Sequence, residues 1–232
     1  MQQAYTTNYV MQYYGIGFAI SRPAILDNQY QKEFPMASLA MRNSLETLKN
    51  YNAASLFNNA FNNSYALADG QPLASTQHPT SQGTLANTFG GPVDLSEAAV
   101  EDAITIIKGW TNVAGLPINM MPQCVLTSQA LAFTAARIFK SEYKNDTPNN
   151  AISAIYHDKY MPRGYMVSQF ISDPQAWTIL TNEPNGFKYF LREPLEMDFI
   201  EDTFTQTLTN VAFERYAFGC SNWRAAFCAH GA

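Results

Sequence analysis

The chain has 232 residues and a net charge of −5, and only 14% of its residues are Asp, Glu, Lys or Arg, against about 25% in an average soluble protein. Its 47% apolar and 13% aromatic content argues against disorder, the lack of cationic excess argues against a basic nucleic-acid-binding protein, and no apolar run approaches a membrane span. Low charge combined with many aromatics indicates a surface that other subunits cover.

Residues 1–26 form an aromatic N-terminal arm. The segment is rich in Tyr, Thr, Val, Ile and Phe, which favours extended chain, and Gly15 and Gly17 loosen its backbone. So short a segment cannot bury its own rings, so we expect them to contact other copies of the chain. The predicted inter-subunit contact residues are Tyr5, Tyr9, Tyr13, Tyr14 and Phe18.

A long helix is predicted over residues 28–62. Neither Gly nor Pro occurs between Pro35 and Asn62, and apolar residues recur on one face at helical spacing. Such a helix would be about 50 Å long, far above the average for globular proteins. It is either a scaffold spine or a long core helix.

The rest of the chain mixes helices and strands, which predicts an α+β fold. After a turn-rich connector, Asp94 and Glu97 are expected to cap a second helix, and CVLTS at 124–128 to form a buried strand whose Ser128 caps a third helix. Three short strands, YMVSQF, AWTIL and FKYFL, precede a long alternating strand over 203–219.

Candidate catalytic groups are sparse. Ser75 and His78 could act as a hydrolase nucleophile and base with Asp69, but a polar turn before Pro79 explains the same residues. We favour the turn, because no oxyanion or nucleophile-elbow motif accompanies them.

A thiolate site is the second catalytic alternative. Cys124 could pair with His157 or His230, but it lies in an apolar strand, where cysteine usually behaves as a small hydrophobic residue. With Cys220 and Cys228 the chain has three cysteines and no CxxC spacing, which predicts reduced thiols. We therefore expect no catalytic, cofactor or metal site.

Charged residues offer two further alternatives, a cation site and a nucleic-acid patch. The acidic run lacks regular ligand spacing and the basic residues are dispersed, so a solvated or interface surface is the preferred interpretation of both. The acidic residues are Glu193, Glu196, Asp198, Glu201 and Asp202, and the basic ones Lys144, Lys159, Arg163 and Lys188.

Several separated stretches, in the same order, resemble the tailed-bacteriophage major capsid proteins with the HK97 fold, and the Mu-like major head subunit group in particular. DGQPLASTQHP at 69–79 is similar to the turn that follows the family's spine helix. Residues 115–141 resemble its entry to the A domain, and SDPQAWTILTNEPNGFKYFLREPLEMDFIEDT at 172–203 its last A-domain strands.

The resemblance implies an HK97-like division of the chain. Residues 1–27 would hold an incomplete E-loop, because the family normally begins with an N-terminal arm and an outgoing strand. Residues 28–112 would form the P domain with the spine helix and second helix, residues 113–195 the A domain, and residues 196–232 the return strand of the P domain and the C-terminal segment.

The implied function is a non-enzymatic head shell. Copies would assemble into hexamers and pentamers of an icosahedral capsid that encloses double-stranded DNA without sequence-specific contacts. The implied partners are a portal and decoration or scaffolding proteins, with no membrane partner, and assembly would take place in the host cytoplasm. An encapsulin-like shell around protein cargo is the alternative within this fold, and a soluble hydrolase using Ser75 and His78 the alternative outside it.

Overall fold

The computed structural model describes residues 5–27, 30–81, 83–112, 114–143 and 152–231, and for residues 30–33 only the backbone. The helices are α1 (Arg22–Leu26), α2 (Tyr30–Asn58), α3 (Glu97–Lys108), α4 (Ala132–Lys140) and α5 (Ala154–His157). The strands are β1 (Gln12–Ile20), β2 (His78–Thr80), β3 (Gly83–Leu85), β4 (Pro122–Ser128), β5 (Tyr165–Ser168), β6 (Trp177–Thr181), β7 (Phe187–Asp202), β8 (Thr207–Cys220) and β9 (Ala226–Ala229). This mixture confirms the α+β prediction.

The chain divides into two compact units. The spine unit comprises Asn8–Ala53 and Tyr189–Gly219, and the sheet unit comprises the described residues within Met1–Thr7, Ala54–Lys188 and Cys220–Ala232. The boundary predicted between residues 195 and 196 lies inside β7, whereas the units divide between Lys188 and Tyr189.

Helix α2 contains 29 residues, so it is about 43 Å long at 1.5 Å per residue. Pro35 lies in its second turn, close to the start, as expected. The helix ends before the predicted residue 62, because Asn62 instead caps a 3-10 turn over Asn63–Tyr65 by accepting a hydrogen bond from the Ser64 amide.

The spine unit contains a three-stranded sheet in the order β1-β8-β7. Strand β1 pairs antiparallel with β8, with Tyr14 opposite Glu214. Strand β8 begins four residues later than predicted, because residues 203–206 form the turn between β7 and β8. Alternate residues of β8 from Asn210 to Tyr216 are buried, as its sequence pattern predicted.

The sheet unit contains a four-stranded sheet in the order β5-β4-β6-β9. Strand β4 runs parallel to β5 and antiparallel to β6, and β6 runs antiparallel to β9. The buried face of α3 packs into a core that includes Trp110, Trp177 and Phe227. Both indole N–H groups donate to backbone carbonyls, at Ala86 and Val93, so these large rings are buried without an unpaired donor.

The structure corrects two predicted helix caps. Ser96, not Asp94, is the N-cap of α3 and accepts a hydrogen bond from the Ala99 amide. Ser128 does not cap α4, because it is still the last residue of β4 and its hydroxyl donates to the Pro174 carbonyl. Leu131 is the N-cap residue of α4 instead.

Strand β7 is also longer than predicted. The sequence indicated a short strand at FKYFL followed by an acidic run, but a single strand of 16 residues covers both. Pairing with β8 explains the extension, since the neighbouring strand supplies backbone partners that outweigh the weak strand propensity of Glu and Asp.

Candidate functional site

Helix α2 is fastened to strand β8 within the spine unit by a series of side-chain contacts. Because strand residues alternate between faces, every second residue of β8 points to the helix. From the start of the strand, Asn210 donates to Ser38 at 2.9 Å, Ala212 packs with Met41 and Leu45, Glu214 pairs with Lys49, and Tyr216 accepts from Asn52 at 2.9 Å. The helix is therefore held along its length and can act as a strut.

The Glu214 carboxylate is the buried charge in this series. Its side chain has no solvent exposure, and Lys49 Nζ lies 2.5 Å from one of its oxygens. Burial, followed by the proximity of Glu214, raises the pKa of Tyr14. Burial also raises the pKa of Tyr216 to about 12. The phenols consequently stay neutral beside the carboxylate.

Three of the five predicted contact residues pack within their own chain. Tyr14 stacks on Tyr216 with ring centres 4.6 Å apart, and Phe18 lies edge-on to Phe34 at 5.4 Å. The ring of Tyr9 lies 5.0 Å from that of Phe190 and covers Gly219 so closely that a Cβ there would overlap it.

The other two predicted contact residues are largely exposed. Tyr5 is 51% and Tyr13 62% exposed, and the nearest ring to Tyr13 is that of Phe213, 6.0 Å away. Their contact with other copies stays a prediction, and of the five residues these two have the most exposed side-chain surface for it. The apolar pattern of the arm did not distinguish its two faces, because Gly15 and Gly17 interrupt the alternation.

A groove lies on the face of the three-stranded sheet that includes Tyr13. Its volume is about 400 Å³, and its lining along β1 includes Gly15 and Gly17, which have no side chains. A Cβ at Gly17 would lie 3.1 Å from both Val211 and the Asn210 carbonyl, so a larger residue here would make these neighbours shift. The remaining lining residues are Ile16, Asp198, Ile200, Val211, Ala212 and Phe213.

The sequence reasoning missed this groove, although its signal was present. Strand β8 alternates, so Val211 and Phe213 had to lie on the face opposite the buried Ala212 and Glu214. It also missed the ion pair, which a glutamate in the buried phase of an alternating strand could have indicated.

The structure does not bring Ser75 and His78 together as nucleophile and base. His78 Nδ1 lies 2.7 Å from an Asp69 carboxylate oxygen, but Nε2 lies 3.0 Å from Asn87 Oδ1. The Ser75 hydroxyl donates to Gln71 at 3.1 Å. The histidine ring is fully buried and stacks on Trp223 with centres 4.5 Å apart. The geometry matches the structural turn rather than a hydrolase site.

Asn87 organises this turn. Its amide group donates to the Leu73, Trp223 and Ala226 carbonyls, and its side-chain oxygen accepts from the Ser75 amide. These bonds connect the connector after α2 to the C-terminal strand within the sheet unit. Asn87 was not singled out from the sequence, since an isolated Asn carries no motif.

The thiolate alternative has no geometric support. Cys124 is buried in β4, where burial raises its pKa, and its thiol contacts the Met166 sulfur at 3.9 Å. His157 lies edge-on to Tyr156, and His230 packs against Phe61. Burial raises the pKa of Cys220 and that of Cys228 to about 12 each, so these thiols are not activated as nucleophiles either.

The structure places the acidic run and most of the basic residues that were considered as a cation site and a nucleic-acid patch. The acidic run extends along β7 and into its turn, with Glu193 4.0 Å from Arg215. Across the part of the chain that the structure describes, no three His, Cys, Asp or Glu side chains converge as metal ligands. Lys144 lies outside the described residues, whereas Lys159 and Arg163 are exposed near β5 and Lys188 lies in β7.

None of the described helices is long and apolar enough to cross a membrane.

Comparison with known proteins identifies the family and the fold. A family model described as phage capsid protein matches residues 4–229. Among solved structures, the capsid of Myoviridae phage XM1 is similar over 97% of this chain and 74% of its own, with 12% identity and a TM-score of 0.59. No curated protein sequence matches the chain.

Two further solved structures are also similar to this chain in fold. The capsid of an empty GTA particle covers 97% of this chain and 73% of its own, with 11% identity and a TM-score of 0.56. The holo-SrpI encapsulin complex from Synechococcus elongatus covers 96% and 74%, with 10% identity and a TM-score of 0.56. At identities this low, the structural similarity establishes the shared fold alone, which is that of HK97-type phage capsids.

Proposed function

The chain belongs to the phage capsid protein family, and from this we propose that it is the major head protein of a tailed bacteriophage. Its copies assemble into hexamers and pentamers, and these form an icosahedral shell around double-stranded DNA. The observation that carries the proposal is the family match over residues 4–229. A match of this extent includes both compact units, so it concerns the shell-forming fold as a whole.

The internal construction of the spine unit supports a load-bearing role. A helix of 29 residues that is held to a strand by polar, apolar and ionic contacts resists bending better than an isolated helix. In this proposal α2, strand β8 and the end of β7 belong to the P domain at the capsomer edge, from residues 28–112 and 196–232. Residues 113–195 form the A domain at the capsomer centre, and residues 1–27 belong to the E-loop.

The surface composition supports self-association. Only 14% of the residues are charged, and exposed apolar side chains include Tyr5, Tyr13, Phe133 and Phe204. A surface that is poor in charge and rich in exposed rings suits contact with other subunits. We assign Tyr5 and Tyr13 to these contacts, whereas Tyr9, Tyr14 and Phe18 support them from within the subunit.

Packaged DNA is held by confinement rather than by sequence-specific binding. The net charge of −5 leaves the subunit without the cationic surface that tight phosphate binding requires. A portal and decoration or scaffolding proteins complete the particle, which assembles in the host cytoplasm and becomes the virion capsid. We assign the subunit no catalytic role.

A cargo-storing shell is the second candidate. It is favoured by one observation, the similarity in fold to the encapsulin complex from Synechococcus elongatus. The two candidates differ in content: a virion head encloses a genome, and a nanocompartment encloses protein cargo.

The test is to produce the chain in bacteria, to separate particles on a density gradient and to image them by cryo-electron microscopy. Closed shells with six-fold and five-fold capsomers are expected. A monodisperse monomer of 25.9 kDa under native conditions would contradict the proposal. Particles from phage-producing cells should protect double-stranded DNA from nuclease, whereas protein cargo without DNA would establish the second candidate.

A further inference from the structure

The turn between β7 and β8 presents a single aromatic ring to solvent. Phe204 is 98% exposed, the highest value among the exposed large apolar side chains of the described residues. The turn itself is well ordered by Asp202, whose carbonyl accepts from the Gln206 amide at 2.8 Å. Its carboxylate accepts from the Phe204 amide at 3.0 Å and from the Thr205 hydroxyl at 2.7 Å. Phe204 therefore sits on a preorganised support.

An aromatic ring on a preorganised turn has the properties of a binding anchor. Aromatic residues dominate interface energetics when they enter a pocket, and little conformational entropy is lost when their backbone is already fixed. Besides Asp202, two charged residues lie close to Phe204 in the turn. Arg22 donates to the Gln206 side chain, and Glu201 is exposed at the end of β7.

The groove on the sheet of the same unit has the matching chemistry. Its apolar lining of Tyr13, Ile200, Val211 and Phe213, together with the two glycines, can receive one aromatic ring in a volume of about 400 Å³. Phe204 does not occupy the groove of its own chain, since it is almost entirely exposed.

The charges around the groove complement those around Phe204. Asp198 lines the groove and can form an ion pair with Arg22 of another copy. Arg215 stands opposite Tyr13 in the strand pairing, and its Nε is buried without a hydrogen-bond partner among the described residues. A carboxylate oxygen of Glu193 lies 4.0 Å from Arg215, at the outer limit of an ion pair, so Arg215 can also pair with Glu201 of another copy.

We propose that the β7–β8 turn of one copy, anchored by Phe204, docks into the groove over Gly15 and Gly17 of a second copy. The inference rests on the proposed function, because it needs a second copy as occupant. Turn and groove are different surfaces of one chain, so each copy donates its turn to one neighbour and receives the turn of another. Such head-to-tail contacts close into a ring when the rotation between successive copies is a whole fraction of a turn.

The direct test is a disulfide between copies. Phe204→Cys and Gly15→Cys are combined in one chain and particles are oxidised before denaturing electrophoresis. Gly15 tolerates the change, because its new Cβ would be at least 3.5 Å from its nearest neighbours. The native Cys124, Cys220 and Cys228 are buried and do not compete. A ladder of linked chains is expected from the double variant and from neither single variant.

The outcomes separate the docking from the proposed function. Particles that form normally but give no ladder overturn the docking and leave the capsid function intact. If the unsubstituted chain forms no particles, the capsid function fails and the docking with it.

Charge reversal provides the second, independent test. Asp198→Arg and Arg22→Asp should each reduce the particle yield about tenfold, and the double reversal should restore it, because the ion pair is rebuilt with opposite polarity. Glu46→Arg, on the exposed face of α2, is the matched control and should leave the yield unchanged. Single reversals without effect, or a double reversal that is additive, would overturn the pairing.

Discussion

The ammonium nitrogen of Lys49 on helix α2 lies 2.5 Å from a carboxylate oxygen of Glu214 on strand β8, whose side chain is completely buried. A buried carboxylate is tolerated only when it is paired, since its desolvation is otherwise uncompensated. The pair therefore fixes the register between helix and strand: a shift of α2 by one residue would leave Glu214 without its cation.

Removing one member of this pair should destabilise the subunit more than removing both. Lys49→Met should lower the free energy of unfolding by about 3 kcal/mol, because the Glu214 carboxylate stays buried without a cation. The double variant Lys49→Met with Glu214→Leu should recover most of the loss. Urea unfolding followed by circular dichroism measures both, and Glu46→Ala, exposed on the same helix, is the control. Equal losses in single and double variants would show that the pair is not coupled.

Helix α2 should not tolerate proline at its centre. Leu45→Pro removes a helix hydrogen bond and introduces a clash one turn back, at a cost of about 3 kcal/mol or more, and particle assembly should be lost. Leu45→Ala separates the two contributions, since it deletes the same buried side chain but keeps the helix. Electron microscopy of both variants provides the measurement. Normal shells from Leu45→Pro would mean that α2 is not a continuous strut.

The buried turn around Asn87 should be structural. Asn87→Ala leaves several backbone groups and His78 Nε2 without their partner, so we expect a loss of about 3 kcal/mol in thermal unfolding. Ser75→Ala removes only the hydroxyl that bonds Gln71 and should cost less than about 1 kcal/mol. A large effect of Ser75→Ala, or a hydrolytic activity that it abolishes, would revive the hydrolase interpretation.

Stability should fall in strong alkali in part through Tyr216. Burial raises the pKa of Tyr216 to about 12 from the ordinary 10, so the folded state holds the phenolic proton more tightly than the unfolded chain. Its contribution is present below pH 10 and is lost as the pH rises towards 12. Between pH 10 and 12 the free energy of unfolding should fall less with rising pH in Tyr216→Phe than in the unsubstituted chain. Cys220 and Cys228, whose pKa values burial also raises to about 12, add a remaining slope of the same sign.

The two neighbouring tyrosines of the arm should behave differently. Tyr14→Ser should destabilise the subunit by about 3 kcal/mol, because it deletes a ring that stacks on Tyr216. Tyr13→Ser should leave the unfolding curve nearly unchanged and reduce particle yield, because this ring is 62% exposed and lies at the groove. Subunit unfolding and gradient sedimentation separate the two effects. The reverse assignment would mean that Tyr13, not Tyr14, belongs to the subunit core.

Local sequence patterns determined the elements whose signal is periodic. The absence of Gly and Pro between Pro35 and Asn62, with apolar residues on one face, is sufficient to predict α2, because helix formation depends on neighbours three and four positions away. The alternation over residues 203–219 likewise predicted a long strand, which the structure has as β8. The ordered stretches that resemble HK97-type capsid proteins identified the family, since several motifs in one order carry more information than any single motif.

Only the tertiary structure decided which distant residues contact each other. Asn52 and Tyr216 are 164 positions apart, and nothing in either segment predicts that they meet. The acidic end of β7 became a strand because β8 lies beside it, which propensity alone does not indicate. In the arm, the composition predicted that the aromatic rings would be buried against other copies of the chain. The pairing of β1 with β8 decided that Tyr14 and Phe18 face their own helix, while Tyr13 faces outward, because strand pairing fixes the side to which each residue points.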